Sequence, residues 1–267
     1  MIADAQSQPN PAAPDKAELT QDGFLDRRFT LLQPKKGLRA GSDALFLAAS
    51  ISAKPGQRVL EAGVGTGAAA LALLTRVADM SVTGVEKYPF HADLARRNAE
   101  LNHKTDRLEI IEGDILALKG ADFGPPFDHA LANPPYYAPE HSRASETASR
   151  QAAHFMPPGL LADWVTTLSR LTKPGGTVSF IHRCDAAPEL LAAMAASLGG
   201  LLVLPLAPKD GAPSTRIIVR GTKGSKAPLQ LLSPLALHEG AGAHTCQSDA
   251  VLRACQALDL DRMASGA

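Results

Sequence analysis

Two short segments contain residue types and spacings from which a chemical function can be inferred. Residues 61–67, which we call the glycine-rich turn, read Glu-Ala-Gly-Val-Gly-Thr-Gly and place three glycines at alternate positions. Glycine allows a sharp turn and lets a ligand approach the backbone, so this pattern between a strand and a helix predicts a small-molecule site. Residues 133–136, the acceptor motif, read Asn-Pro-Pro-Tyr and combine two rigidly held oxygen acceptors with an aromatic ring. The acceptor motif predicts a site for a planar group that carries an amine.

The charge beside the glycine-rich turn distinguishes between two kinds of cofactor. Gly63, Gly65 and Ala68 also satisfy the loose GxGxxG/A pattern of dinucleotide sites. Glu86 then lies close to the place of the acid that binds the ribose in such sites. Glu61, however, precedes the glycines, and an anion there would repel a pyrophosphate but attract the amino group and sulfonium of S-adenosylmethionine. The sign of the charge therefore favours S-adenosylmethionine over a nicotinamide dinucleotide.

Further cofactor contacts are expected where the next strands end. Glu86, at the end of the second predicted strand, is placed to accept hydrogen bonds from both ribose hydroxyls. Asp114, after the third strand, offers a carboxylate to an adenine amino group, and Ile115 offers an apolar wall beside it. The residues predicted at the cofactor from these segments are Glu61, Gly63, Gly65, Gly67, Glu86, Lys87, Asp114, Ile115 and Asn133.

The acceptor motif, Asn133, Pro134, Pro135 and Tyr136, is the predicted catalytic segment. An exocyclic amine donates its two N–H groups to the Asn133 side-chain oxygen and the Pro134 carbonyl, while its ring stacks on Tyr136. This arrangement draws the nitrogen lone pair out of conjugation and points it at the methyl group. A strong base is not needed, because the neutral amine loses its proton after it has attacked the sulfonium.

The elements that must position these segments follow from the alternation of short aliphatic runs with helical stretches. This alternation predicts an α/β fold in which βα units build a mostly parallel sheet of about seven strands, with helices on both faces. The last two strands are joined by a short connection and must pair antiparallel. This predicted arrangement resembles the architecture of the Rossmann-like methyltransferases. The predicted strands are 58–62, 81–86, 108–112, 127–132, 177–182, 201–206 and 215–220, and the predicted helices are 67–78, 89–102, 159–172, 186–198 and 248–258.

Composition divides the chain into four parts. Residues 1–22 are rich in proline and small polar side chains and are predicted to be a disordered tail. Residues 23–56 are predicted to cover substrate and cofactor, 57–228 to form the methyltransferase domain, and 229–267 to dock on it as a C-terminal appendage. The segment 137–156 is polar and charged and suits a mobile lid over the site.

Bulk properties limit the partners and the location. Lys and Arg together number 27, as do Asp and Glu, so contact with nucleic acid would require a local basic patch. The three cysteines are unevenly spaced and indicate neither a disulfide framework nor a zinc or other metal site. The sequence shows no signal peptide and no run of about 20 apolar residues, so we expect a cytoplasmic protein without a membrane segment. The oligomeric state, monomer or homodimer, is left open.

With these motifs in place, the sequence resembles the class I methyltransferases with an NPPY acceptor motif, and within them the valine-tRNA adenine-N6 methyltransferase family. The similarity covers roughly residues 24–258. Beyond the two motifs it is found in residues 33–47, 214–219, 223–224 and 235–239.

This resemblance implies methyl transfer to N6 of an adenine next to the anticodon of a tRNA, with the acceptor motif holding a flipped or looped-out base. It also implies that Asp43 closes the methionine end of the cofactor. For contact with RNA we expect Lys35, Lys36 and Arg39 before the first strand of the domain, and Arg143 and Arg150 after the acceptor motif. Further candidates are Lys209, Arg216, Lys223 and Lys226 near the last strands.

Four other functions remain open at this point. A glutamine-N5 methyltransferase of a release factor would present a side-chain amide to the same two acceptors, and an rRNA guanine-N2 methyltransferase is a near neighbour in chemistry. The chain could also be a non-catalytic module that binds cofactor or RNA. A nicotinamide oxidoreductase is disfavoured, because the sequence downstream resembles no hydride-transfer arrangement.

Overall fold

The computed structural model describes residues 18–37, 39–135, 159–240 and 242–266. Within these ranges, ten strands form one sheet, two more form a separate hairpin, and no helix is long and apolar enough to cross a membrane. The strands are β1 (Leu19–Phe24), β2 (Phe29–Pro34), β3 (Arg58–Ala62), β4 (Ser81–Glu86), β5 (Leu108–Glu112), β6 (Phe127–Ala132), β7 (Thr172–Arg183), β8 (Gly199–Lys209), β9 (Arg216–Thr222), β10 (Gln230–Leu231), β11 (Leu235–Glu239) and β12 (Ala243–His244). The helices are α1 (Ser42–Ala49), α2 (Ala68–Arg76), α3 (Pro89–Leu101), α4 (Leu160–Leu171), α5 (Ala187–Ser197), α6 (Cys246–Leu252) and α7 (Leu260–Ser265).

The sheet has the predicted arrangement of a parallel half and an antiparallel end. Its strand order is β12-β11-β8-β9-β7-β6-β3-β4-β5, and β10 also pairs with β8. The strands from β7 to β5 pair parallel, whereas β9 lies antiparallel between β7 and β8. The short connection between β8 and β9 requires this antiparallel pairing, because a parallel crossover needs a dozen or more residues. The carboxyl ends of β3, β4, β5, β6 and β7 therefore meet at one edge of the sheet.

Helices cover both faces of the sheet, as predicted, and alternate residues of the strands determine which face each side chain enters. Ile181 of β7 and Ile218 of β9 pack in the apolar cluster that contains α1 and α2. Phe180 and Val219, one residue away on the same strands, pack in the cluster that contains α4 and α5. This period of two is the geometry of a strand that is buried on both faces.

The C-terminal region differs in detail from the predicted appendage. It extends the sheet, since β11 pairs parallel with β8 and β12 pairs with β11. β10 and β12 are only two residues long, too short for periodicity to be read, whereas the five-residue β11 was missed by the sequence analysis. The helix predicted over 248–258 ends early, because α6 covers only Cys246–Leu252 and Cys255 beyond it has a left-handed φ of 59°. A further helix that the sequence did not predict, α7, follows the predicted range.

A hairpin of β1 and β2 precedes the sheet, and its first strand begins four residues inside the segment predicted as a tail. Asn98 of α3 and Asn102, which follows the last residue of α3, hold its inner edge. The Asn98 side chain accepts from the Leu32 N–H at 2.7 Å and donates to the Leu32 carbonyl at 3.0 Å. Asn102 makes the same pair of bonds with Thr30, at 2.8 and 2.7 Å. The two amides thus occupy the place of a strand partner.

His129 makes folding stability depend on pH in the weakly acidic range. It is a buried side chain of β6 that is hydrogen-bonded to Thr177 Oγ1 at 2.8 Å and to Gln57 Oε1 at 3.1 Å. Burial is the largest cause that lowers the pKa of His129 from 6.5 to about 4; the Asp128 carboxylate opposes the shift, and nearby cations add to it. As pH falls below 6.5, the unfolded chain binds a proton that the folded chain does not. We expect this difference to cost about 2 kcal/mol of stability at pH 5.

Urea unfolding of the wild type and His129→Asn at pH 7 and pH 5 measures this effect. The loss of stability between the two pH values should be smaller in the variant by about 2 kcal/mol. His103→Asn changes an exposed histidine and serves as the control. It should lose as much stability between pH 7 and pH 5 as the wild type. Equal losses in wild type and His129→Asn would contradict the assignment.

Candidate active site

The glycine-rich turn connects β3 to α2 at the carboxyl edge of the sheet. Gly63, Gly65 and Gly67 have φ angles of 68°, 57° and 90°, in the left-handed region that favours glycine. A Cβ atom added to Gly65 would meet nothing within 4 Å, so there is open space beside this residue. A Cβ on Gly63 would approach the Trp164 ring of α4 to 3.1 Å. The turn therefore has room for a ligand beside Gly65 and is closely packed beneath Gly63.

Glu86, at the end of β4, fixes the shape of the turn. Its Oε2 accepts from the Gly65 N–H at 2.9 Å, and its Oε1 accepts from the Tyr88 N–H at 2.9 Å. The N–H groups of Gly63 and Val64 donate to the Val85 carbonyl at 2.8 and 3.0 Å. A carboxylate with two backbone donors still has lone pairs for ligand hydroxyls, so Glu86 suits both a structural and a binding role.

Glu61 is a buried acid without full compensation. Its side chain is 4% exposed, and among the described residues its Oε2 has no hydrogen-bond partner. Burial is the main cause that raises the pKa of Glu61 from 4.5 to about 8; a backbone hydrogen bond from Ala70 opposes the shift, and the Glu86 charge adds to it. A buried polar atom without a partner is costly, so its presence here suits a ligand-binding position. A cationic ligand fits this position, because it would stabilise the carboxylate.

Asp114 and Lys87 face each other where β5 and β4 end. The Lys87 Nζ lies 3.0 Å from the Asp114 Oδ2, and the Leu116 N–H donates to the Asp114 Oδ1 at 3.0 Å. Ile115, which lies between Asp114 and Leu116 in sequence, is buried in the apolar cluster that contains α4. The structure therefore brings Lys87 into contact with Asp114 and fixes the carboxylate that was predicted to bind an adenine amino group.

The acceptor motif begins at the end of β6, beside the glycine-rich turn. Ala132 of β6 is level with Ala62 of β3, so Asn133 and Gly63 follow at equivalent positions on neighbouring strands, which are about 5 Å apart in a sheet. Asn133 is half-buried, Pro134 is buried and Pro135 is exposed. Tyr136, Arg143 and Arg150 lie outside the described residues, as does the predicted lid 137–156.

Asp43 of α1 contacts Arg216, the first residue of β9. The Arg216 Nε donates to the Asp43 Oδ2 at 2.8 Å, across 173 residues of sequence. The contact places Asp43 at the same edge of the sheet as the acceptor motif, because the start of the antiparallel strand β9 lies beside the end of β7.

Several of the predicted RNA-binding cations in the described part of the chain are engaged within the fold. Lys35 pairs with Glu18 at 2.8 Å, and Arg39 pairs with Asp22 at 2.7 Å, so both brace the hairpin, whereas Lys36 is exposed. Lys223 lies at the opposite edge of the sheet, where its Nζ donates to the Thr172 carbonyl at 2.6 Å behind α4. A cation at the end of a helix is stabilising in itself.

Gly84 of β4 is a residue of the site that sequence reasoning did not identify. A Cβ at this position would come within 2.8 to 3.0 Å of the Val64 side chain, which packs beneath the glycine-rich turn. The available signal was a glycine inside an otherwise β-branched strand, which often marks the close approach of another chain segment. Trp164, which packs under Gly63, was likewise not identified.

We expect Gly84→Ala to destabilise the protein by about 1–3 kcal/mol, because the added methyl group overpacks the site against Val64. The displaced Val64 should also weaken cofactor binding. Urea unfolding and calorimetry with S-adenosylmethionine measure the two effects. Gly120→Ala is the matched control, since a Cβ there meets nothing within 4 Å. A Gly84→Ala protein as stable as this control would contradict the packing argument.

Comparison with known proteins identifies the family. The profile of the methyltransferase small domain matches residues 35–159. A tRNA1(Val) (adenine(37)-N6)-methyltransferase of Glaesserella parasuis is 29% identical over 177 residues, which are 63% of this chain and 69% of the relative. The protein of the same name from Porphyromonas gingivalis is 30% identical over 176 residues, 63% of this chain and 68% of the relative.

A solved structure of a methyltransferase also matches the chain. The crystal structure of a predicted O-methyltransferase, protein Atu636 from Agrobacterium tumefaciens, has a TM-score of 0.68 and 30% identity, and the match covers 81% of this chain and 98% of that one. The fold, the glycine-rich turn and these matches agree. The chain belongs to the class I S-adenosylmethionine-dependent methyltransferases with a methyltransferase small domain, and it is related to the tRNA1(Val) adenine-N6 methyltransferases.

Proposed function

We propose that this enzyme methylates N6 of an adenine next to the anticodon of a tRNA. The observation that carries the proposal is the position of Asn133 and Pro134, which follow β6 directly beside the glycine-rich turn. Two fixed oxygen acceptors at this place suit an exocyclic amine of a nucleobase. The relatives are named for methylation of adenine 37 of tRNA1(Val), and this supports tRNA as the RNA substrate.

The cofactor site in this proposal uses the residues at the ends of β3, β4 and β5. Glu61 holds the cationic amino-acid end of the cofactor, with Asp43 near it, and the glycine-rich turn lies against its middle. Glu86 accepts from the ribose hydroxyls, and Asp114, held by Lys87, accepts from the adenine amino group beside Ile115. When bound, S-adenosylmethionine supplies a methyl group attached to a positively charged sulfur.

The acceptor motif orients the substrate amine in this proposal. The Asn133 side-chain oxygen and the Pro134 carbonyl accept the two N–H groups, and Tyr136 stacks on the purine ring. Fixing both N–H groups sets the direction of the nitrogen lone pair, so that positioning supplies most of the rate enhancement. The proton leaves to water after the transfer, and no residue has to act as a strong base.

Product analysis tests the proposal. The purified protein is incubated with labelled S-adenosylmethionine and, separately, unmodified total tRNA, ribosomal RNA and a release factor, and the products are identified by mass spectrometry. We expect N6-methyladenosine in tRNA at the position next to the anticodon. Label found as N2-methylguanosine in ribosomal RNA or as methylglutamine in the release factor would overturn tRNA adenine as the proposed substrate. Binding of the cofactor without label in any of the three would overturn the proposed catalytic role.

A further inference from the structure

We propose that Arg183 and Arg216 together bind a backbone phosphate of the RNA beside the adenine that is methylated. This inference rests on the proposed function and adds to it a defined anion site on the substrate side of the acceptor motif. Arg183 ends β7, and Arg216 begins β9.

The register of the sheet places both arginines close to the acceptor motif. Ala132 of β6 is level with Phe180 of β7, so Asn133 is level with Ile181, two residues before Arg183. Arg183 is the direct cross-strand partner of Arg216. With about 4.8 Å between strands and 3.3 Å per residue, the Cα atoms of the two arginines lie roughly 8 and 12 Å from that of Asn133. A phosphate attached to the nucleotide held at Asn133 falls within the reach of such side chains.

The two arginines form a like-charge pair on one face of the sheet. Direct cross-strand partners point to the same face, and like charges in this arrangement are destabilising. The fold compensates each guanidinium with its own carboxylate. Arg183 Nε donates to Asp185 at 3.0 and 3.1 Å, and Arg216 Nε donates to Asp43 at 2.8 Å.

Asp185 accepts from both Nε and Nη2 of Arg183, and Asp43 accepts from Nε of Arg216. The Arg216 Nη1 also donates to the Thr215 carbonyl at 3.2 Å, so these contacts orient the two guanidinium groups. An arginine has five N–H donors in a planar fork, and a phosphate needs only two of them from each side chain. The Arg183 and Arg216 side chains are 36% and 31% exposed, so a ligand can reach both. An orienting acid behind an accessible arginine pair is the arrangement expected of a preorganised phosphate site rather than of a diffuse basic surface.

The location distinguishes this pair from the other predicted RNA-binding cations. Lys35 and Arg39 lie against the hairpin, and Lys223 lies at the opposite edge of the sheet. Arg183 and Arg216 lie instead on the two strands that follow β6 in the sheet, on the side away from the cofactor half. If the target base of the RNA is bound at Asn133, the adjoining RNA backbone would therefore lie over these strands.

The test compares Arg183→Gln, Arg216→Gln and the double variant by their affinity for unmodified tRNA at several salt concentrations. The affinity of each single variant should fall about tenfold, and the slope of log affinity against log salt should decrease by about one. Because both arginines bind one phosphate, the double variant should lose little more slope than either single variant. Arg183→Lys, which keeps the charge but not the fork, should retain most of the slope and part of the affinity.

Control measurements distinguish loss of the phosphate site from unfolding of the variant and from failure of the proposed function. Arg97→Gln removes an exposed arginine paired with Asp93 at 3.5 Å on α3 and should change neither quantity. Arg183→Gln should keep the wild-type affinity for S-adenosylmethionine and the wild-type unfolding midpoint. A double variant with wild-type tRNA affinity and slope, in a protein whose wild type methylates tRNA, would overturn the phosphate site and leave the proposed function standing. A wild type that neither binds nor methylates tRNA would overturn both.

Discussion

Changing Asn133 to alanine is expected to lower kcat/KM for tRNA methylation by at least about 100-fold, because it removes one of two acceptors that orient the amine. Removal of a single positioned hydrogen-bonding group in an active site typically costs a factor of about 10²–10³ in rate. Because Asn133 is also predicted at the cofactor, the affinity for S-adenosylmethionine should fall as well, but by no more than a few-fold. Asn133 directly follows β6, a strand in the centre of the sheet. The backbone at the substituted residue is therefore held in place by the sheet.

Single-turnover methylation of unmodified tRNA, with cofactor affinity measured separately by calorimetry, checks this expectation. Gln247→Ala is a suitable control, since it removes an exposed amide on α6. Asn133→Gln retains the amide but moves it by one methylene, and it should lose nearly as much activity because geometry rather than amide chemistry is required. A kcat/KM for Asn133→Ala within threefold of the wild type would exclude the acceptor role.

The parts of the site that the sequence predicted are those determined by local chemistry. The glycine-rich turn was visible because left-handed backbone at Gly63, Gly65 and Gly67 requires glycine, and the parallel strands were visible as aliphatic runs separated by helices. The order of these runs along the chain was sufficient to place Glu86 and Asp114 at one edge of the sheet, since parallel strands share their carboxyl edge.

The parts that the sequence could not supply depend on contacts between distant segments. Nothing local to Asp43 indicates that it meets Arg216, and nothing local to Asn98 indicates that its amide holds the backbone of Leu32. Gly84 is required only because Val64 approaches it in space. Such pairings follow from the register of the sheet, which is set by the whole fold and not by the pattern of any one strand.

Glu61 is expected to make cofactor binding release a proton. Burial raises the pKa of Glu61 to about 8, so at pH 7 about nine-tenths of the free enzyme carries the protonated acid. A cation bound beside this carboxyl favours its charged form and lowers the pKa. Binding at pH 7 should therefore release up to about 0.9 proton, and the apparent affinity should rise up to about tenfold per pH unit between pH 6 and 8.

The same shift determines how the free protein responds to pH. The folded-state pKa of Glu61 is raised, so stability is fully present below pH 4.5 and is lost as pH rises towards 8, because the unfolded chain releases a proton that the folded chain retains. By pH 7 the loss amounts to about 3 kcal/mol. Glu61→Gln removes this loss, so the stability of the variant relative to the wild type should increase steadily from pH 5 to pH 8.

Calorimetry with S-adenosylmethionine in two buffers of different ionisation enthalpy measures the released proton directly. The wild type should show a buffer-dependent enthalpy at pH 7, and Glu61→Gln should lose most of it together with a factor of about 10–100 in affinity, the range for a hydrogen bond to a charged group. Any proton from the cofactor itself is released in both proteins, so the difference belongs to Glu61. Glu100→Gln, an exposed acid on α3, should behave as the wild type. Equal proton release in wild type and Glu61→Gln would show that this buried acid does not face the cofactor, and the orientation of the methyl donor across the glycine-rich turn would have to be reversed.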